Sequence, residues 1–319
     1  MKKEIIVEIE PWGVNIPYII LALIYWAIGS ASIILDLPYH PYFMMIGAYS
    51  LYFGMIQRLF FPAKKYISLH IISLILLAIP IYYSQILASI TLISVEIWAL
   101  RDMRKYGSRF PINALVLSSP FASLVAWVFY SNYWILVIPL LLYITGVNIG
   151  VFSATLRTKP VFGVYQIPLF IVILLSYFFP FIFSFIGIVY FLLIFRKTVD
   201  IRNISAFTTL LSIIIIPLLS LYLGDYMHAF TLGVMSPLFF SCITYSTSRY
   251  NYDKVVTLSI LSPLAYILRY IYFPISGLPW IISLIYFIYL IKDNFYIKSI
   301  KLGLSVRFIK AQMNSERKS

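Results

Sequence analysis

Apolar runs of about 20 residues, the length at which a helix crosses a bilayer core, follow one another along this chain with short polar breaks between them. About twelve can be marked, near 16–35, 39–61, 67–83, 85–100, 112–130, 133–152, 165–179, 181–195, 206–223, 227–246, 255–273 and 278–292. The breaks fall on residues that punctuate helices, such as Ser84-Gln85, Ser131-Asn132 and Gly277 to Pro279. The pattern predicts an all-α, polytopic membrane protein of about 12 transmembrane helices. A single transmembrane domain is expected over residues 1–294, with a basic tail over 295–319.

Composition agrees with that class and excludes a soluble globular chain: 62% of residues are hydrophobic, 18% aromatic and only 11% charged. Charge then sets orientation. With a cytoplasmic N-terminus, the inner connections hold Lys2 and Lys3, then Arg58, Lys64 and Lys65, then Arg101, Arg104, Lys105 and Arg109. They continue with Arg157 and Lys159, with Arg196, Lys197 and Arg202, with Arg249 and Lys254, and with the basic residues from Lys292 to Lys318. Of the 24 Lys and Arg, only Arg269 falls on the outer side. Lys and Arg resist translocation, so this asymmetry predicts an even number of spans in a cell membrane with both termini cytoplasmic. The net charge of +13 is then a consequence of topology, and nucleic acid is excluded as a partner.

The mixed charge of Met1 to Glu10 is unlike a cleaved signal peptide. The lone Cys242 lies in an apolar segment, so it builds neither a disulfide framework nor a thiolate metal site. Outer loops are short, so any large extracytoplasmic chemistry needs another chain. The tail alternates Phe295, Ile297, Ile300, Leu302 and Phe308 with Lys298, Lys301, Arg307 and Lys310. That alternation suits a helix lying on an anionic leaflet, and equally a solvated, disordered tail. Trp12, Trp26, Tyr130, Trp134 and Trp280 fall at segment ends, as an interfacial aromatic belt would place them.

The chain has three histidines. His40 and His228 open the second and tenth segments, which run in the same direction, so both are expected near the outer surface. Two imidazoles facing one another across a helical bundle can hold one iron porphyrin by its axial positions. The competing reading places both at the headgroups. His70, beside Lys64, Lys65 and Tyr66 at the opposite end of the third segment, cannot share a site with them and is expected at the interface. Asp36 and Asp225 precede His40 and His228 by four and three residues. Helix capping is the more economical role for both, and a second-shell bond to the imidazole or proton transfer from a quinol is the functional alternative. Glu96, near the inner end of the fourth segment, is expected to pair with Arg101.

The stretch His40-Pro41-Tyr42-Phe43-Met44-Met45-Ile46-Gly47 resembles the second-helix motif of heme-copper oxidase-like proteins, a histidine followed four residues later by methionine. It also resembles the NnrS family, in which the first histidine stands seven residues before a glycine, and His228-Ala229-Phe230-Thr231-Leu232-Gly233 looks like that family's later motif. In the heme-copper superfamily the second and tenth of twelve helices supply the low-spin haem ligands near the outer face, and the matching positions are His40 and His228. The resemblance therefore implies a heme-copper oxidase-like bundle holding one haem b. It also implies propionate binding by Arg269 near the outer end of the eleventh segment.

The departures narrow the expectation. Tyr42 and Phe43 replace the second histidine and the acid of the NnrS-type first motif, and Phe230 stands where oxidases place a paired histidine. The sixth and seventh segments have no histidine, so no copper is expected, and the later NnrS stretch of glycine, histidine, threonine, glycine and arginine is missing. Size, hydrophobic character and Ile-, Tyr- and Lys-rich usage are also similar to the membrane subunit that accompanies a glycosylated b-type cytochrome in the archaeal Sulfolobales.

Together these features point to a respiratory-chain electron-transport subunit and not to a terminal oxidase. Electrons would pass between quinol or a membrane partner and an extracytoplasmic cytochrome. The alternative is a cofactor-free transporter or membrane anchor, which the scarcity of charge within segments permits. An intramembrane lipid-linked transferase is disfavoured because the 11 acidic residues are dispersed, with no paired Asp motif for magnesium.

Overall fold

In a bilayer a backbone must satisfy its own hydrogen bonds, and the apolar runs do so as helices. The computed structural model describes residues 11–100, 114–161, 163–194 and 203–310. Among these residues there is no strand beyond an isolated bridge between Pro11 and Ala63. The helices are α1 (Asn15–Ile34), α2 (His40–Phe60), α3 (Ile67–Ala78), α4 (Tyr82–Ala99), α5 (Ala114–Val128) and α6 (Val137–Thr155). They continue with α7 (Ile167–Phe178), α8 (Ile186–Ile194), α9 (Ile204–Leu223), α10 (Tyr226–Thr247), α11 (Val255–Ile271), α12 (Phe273–Ile291) and the short α13 (Ile297–Leu302).

Six of them, α1, α6, α9, α10 and the segments Arg249–Ile271 and Phe273–Asn294, are long and apolar enough to cross a membrane. The chain is thus an all-helical membrane protein. α2 and α4 have the length and fall outside that set because their buried faces carry polar groups. Ser50 and Gln57 are buried on α2, and Ser84, Gln85, Ser89 and Glu96 on α4. Elsewhere exposed apolar stripes such as Ile20, Ile24 and Ile28 on α1 suit contact with lipid tails.

The chain forms two compact units. One comprises Met1–Phe110, Leu117–Leu140 and Asp293–Ser319, the other Pro111–Val116 and Leu141–Lys292. In the first unit, α1 and α2 approach closely enough for the Trp26 indole to donate to the Met44 carbonyl at 3.0 Å. Gly47 makes that approach possible, since a Cβ there would stand 2.6 Å from the Trp26 ring. Tyrosine hydroxyls tie helix to helix by donating to backbone oxygens: Tyr18 to His70 at 2.6 Å, Tyr25 to Leu77 at 2.9 Å and Tyr49 to Leu136 at 3.1 Å. α13 returns to this unit, where the Gly13 N–H donates to the Ile300 carbonyl at 2.7 Å and Arg58 donates to the Gly303 carbonyl. The tail thus begins as a docked helix, while its end after Lys310 lies outside the described residues.

In the second unit small polar side chains do the same work, through Thr209 to Ser259 at 2.6 Å, Ser184 to Ser220 at 3.1 Å and Asn148 to the Leu238 carbonyl at 3.2 Å. α10 contains a π-helical turn over Ala229–Met235, immediately after His228. Gly233 within that turn presses against α9, where a Cβ would fall 2.3 Å from the Ile216 side chain, and its carbonyl accepts from the Ser212 hydroxyl at 2.7 Å.

Several expectations are corrected. Trp26 and Trp12 are buried inside the protein and do not belong to an interfacial belt, because each indole N–H has an internal acceptor. Asp36 does not cap the second helix. It sits exposed in the left-handed region, φ 53°, where the Asp36 and Leu37 N–H groups close the end of α1 onto Ile33 and Ser32. The third run ends early, at Ala78, since Pro80 cannot continue it, and the last begins early, at Phe273, because Pro279 lies inside α12.

Gly47→Leu is predicted to force α1 from α2 and to cost about 1–3 kcal/mol. The measurement is the unfolding temperature of the purified chain in detergent, and an unchanged value would rule out this contact as drawn.

Candidate functional site

The tenth helix starts where its sequence stops the ninth. Gly224 adopts φ 72° at the end of α9, its N–H donating to the Ser220 carbonyl at 2.8 Å, and Asp225 then turns the chain into α10. The Asp225 carboxylate accepts from the His228 backbone N–H at 3.1 Å, an N-cap bond. The same carboxylate reaches the His228 ring, with Nδ1 2.9 and 2.8 Å from its two oxygens. The capping and second-shell roles separated on sequence grounds are therefore one arrangement.

Arg269, on α11, brings its Nε to 3.4 Å from Asp225 Oδ2, and its guanidinium lies over the Phe273 ring at 4.9 Å. The Tyr266 hydroxyl donates to the Asp225 backbone carbonyl at 3.3 Å, and the Tyr270 ring stands beside that of Tyr266, centroids 5.5 Å apart. Asp225 is the hub: one carboxylate holds an imidazole on one side and a guanidinium on the other. His228 and Arg269 are about a third exposed, so the group is half open to its surroundings.

His40 lies in the first unit and is positioned differently. It is the first residue of α2, with Pro41 following, where a missing N–H costs a helix nothing. Its Nδ1 is 2.9 Å from the Gly29 carbonyl of α1. A backbone carbonyl can only accept, so Nδ1 donates and the ring's lone pair lies on Nε2. A neutral His228 ring facing the Asp225 carboxylate through Nδ1 has the same tautomer.

His70 is corrected from the interface to the interior. It is fully buried, its Nδ1 accepts from the Trp12 indole N–H at 3.1 Å, and the two rings stack 5.8 Å apart. Lys64 and Lys65, exposed beside it, suggest a surface, whereas the residue that covers it is 58 positions away. Glu96 is buried on α4, and Arg101, its expected partner, lies outside the described residues. Cys242 is buried and unbonded to another cysteine.

Among the described residues no three His, Cys, Asp or Glu side chains converge as a metal cluster, so a metal here would rest on histidines taken singly. A polar cleft of about 330 Å³ in the second unit, lined by Thr155, Arg157, Asn203, Tyr245, Arg249 and Asp253, includes none of the residues above. The contributions that sequence reading missed are Tyr266, Tyr270 and the Gly29 carbonyl. Tyr266 and Tyr270 lie three and one residues from Arg269 and could have been found by that spacing. No protein-family profile, no curated protein and no solved structure matches this chain.

Burial alone would raise the Asp225 carboxyl, but the hydrogen bond and charge of His228, the His228 backbone N–H and the Tyr270 hydroxyl outweigh it and hold the group at about 2, below its ordinary 3.8. A carboxyl lowered in this way contributes stability that is complete above its unfolded value and is lost as pH falls through the folded one. Asp225→Asn should therefore unfold at a lower temperature than the wild type near neutral pH, with the difference shrinking as pH drops from about 4 towards 2. A difference that stays constant over that window would show that the carboxylate's charge contributes nothing.

Proposed function

We propose that this chain is the membrane subunit of a respiratory electron-transfer complex, holding one low-spin haem b through His40 and His228. The observation that supports this reading is shared by the two rings: each has Nδ1 engaged by an oxygen acceptor, which directs the ring's lone pair to Nε2. Metal-ligating histidines are oriented in this manner, with a carbonyl or carboxylate on the far nitrogen. His40 and His228 would hold the group through these nitrogens, and it would supply reversible one-electron chemistry at its iron.

The protein's own residues then have distinct tasks. Asp225 fixes the His228 tautomer through a charged acceptor, while the neutral Gly29 carbonyl orients His40. Arg269 uses Nε to balance Asp225, and in this reading its terminal nitrogens take the propionates. Electrons would enter from quinol or a membrane partner and leave to an extracytoplasmic cytochrome. The bundle would have about twelve spans of the heme-copper oxidase-like kind, without copper, in a cell membrane with both termini cytoplasmic.

The test is the reduced-minus-oxidised optical spectrum of the purified chain after expression with haem supplied. The wild type is predicted to show a b-type signal that both His40→Ala and His228→Ala abolish, and Asp225→Ala is predicted to weaken haem affinity by about 10–100-fold. A haem-free wild type, or a signal that survives the double substitution, would end this reading.

A further inference from the structure

Where α6 ends and α9 and α11 begin, the second unit holds a polar cleft of about 330 Å³ that has no part in the histidine arrangement. Small-molecule sites run from about 300 to 1,000 Å³, so the cleft is large enough for one headgroup. Its lining comes from three connections: Thr155 and Arg157 at the end of α6, Asn203 before α9, and Tyr245, Arg249 and Asp253 between the end of α10 and the start of α11. All belong to one compact unit. Only 11% of the chain is charged, yet three charged side chains line this cleft.

Arg157 has φ 54°, the left-handed region that glycine takes without strain. What arginine adds at that position is a permanently charged, forked set of N–H donors. Arg249 opens the 3-10 turn Arg249–Lys254, and its guanidinium stacks over the Tyr245 ring at 4.8 Å. Stacking uses the flat face of the guanidinium and leaves the N–H groups at its edge for an anion. Asp253 lines the same cleft, yet among the described residues no ion pair joins it to Arg249. Asn203 caps α9: its Oδ1 accepts from the Ala206 N–H at 3.0 Å, which leaves the amide N–H groups of its side chain to donate. The Thr155 hydroxyl donates to the Val151 carbonyl at 2.7 Å, so it offers only lone pairs.

Two guanidiniums and one carboxylate leave a formal excess of one positive charge, which a phosphodiester with one negative charge balances. An apolar stripe starts beside the cleft. Ile204, next to Asn203, is exposed, as are Leu211 and Ile215, which share its face of α9. From Ile204 to Ile215 the helix rises roughly 16 Å, close to half the thickness of a bilayer core. A free phosphate would use the cleft alone, whereas a phospholipid uses the cleft and the stripe together.

We propose that this cleft binds the phosphodiester headgroup of an anionic phospholipid. Arg157 and Arg249 take the phosphate oxygens, Asn203 donates a further hydrogen bond, and an acyl chain lies along Ile204, Leu211 and Ile215. Binding is non-covalent, and it ties the connection after α6 to those before α9 and α11. The inference stands apart from haem, so its failure would leave the histidine reading untouched.

Native mass spectrometry of the full chain in detergent, titrated with dioleoyl phosphatidylglycerol, reads the fraction that holds lipid. The wild type should bind this lipid about tenfold more tightly than dioleoyl phosphatidylcholine, whose headgroup has no net charge, and more tightly than glycerophosphoglycerol, the same headgroup without chains. Arg249→Gln and Arg157→Gly should each weaken phosphatidylglycerol binding about tenfold, the loss expected for one charge-assisted bond. Lys254→Gln, which removes an exposed charge from outside the lining, should leave binding unchanged. Glycine suits the backbone at position 157, so Arg157→Gly keeps the test decisive should Arg249→Gln fail to assemble. Equal affinity for phosphatidylcholine or for glycerophosphoglycerol would overturn the proposal, and so would unchanged binding in an assembled arginine variant or an equal loss in Lys254→Gln.

Discussion

A polar group surrounded by hydrocarbon must find its partner inside the protein, and this constraint orders the whole structure. Serine and threonine hydroxyls bond the carbonyl one turn back, as Ser50 does with Ile46 and Thr145 with Leu141. Tyrosines reach across to the carbonyls of neighbouring helices, and the indoles of Trp12 and Trp26 find acceptors in a histidine ring and a backbone oxygen. Many polar side chains therefore turn inward, and isoleucines such as Ile20, Ile24 and Ile28 are left exposed. This is why α2 and α4 score poorly as spans although their lengths suffice: mean hydropathy averages over an inner face that lipid does not contact.

The same constraint separates the roles of the three histidines. His70 is wholly enclosed and held by Trp12, so it pins the start of α3 to the segment preceding α1. His40 and His228 stand at helix starts, each with Nδ1 directed to an oxygen. Their acceptors differ in charge, a neutral carbonyl for one and a carboxylate for the other. A carboxylate acceptor holds an imidazole tautomer more firmly than a neutral carbonyl, because the bond is charge-assisted. Arg269 shares the Asp225 carboxylate with the His228 ring, so one acid is contacted by two cationic or hydrogen-bonding partners.

Much of the helix layout was legible because it follows from local pattern. The run at 206–223 is α9, Ile204–Leu223, and the run at 255–273 is α11, Val255–Ile271. Errors came where proline signals conflict: Pro80 ends a helix, whereas Pro279 is accommodated within one. The bond between Asp225 and His228 was within reach of sequence because it spans one turn, and so was the stop at Gly224. Three features were not. Arg269 meets Asp225 from 44 positions along the chain, Trp12 covers His70 from 58, and the π-helical turn after His228 leaves no compositional trace. Each depends on how helices meet, and hydropathy carries nothing about that.

The central claim is that two imidazoles are held with the proton on Nδ1 and the lone pair on Nε2. Nitrogen NMR of the histidine-labelled chain in lipid, with signals assigned by substituting His40, His70 and His228 in turn, reads this directly. For the neutral rings the structure predicts the proton on Nδ1 and the lone pair on Nε2 at both His40 and His228, with the reverse tautomer at His70. A proton on Nε2 and none on Nδ1 at either His40 or His228 would contradict it.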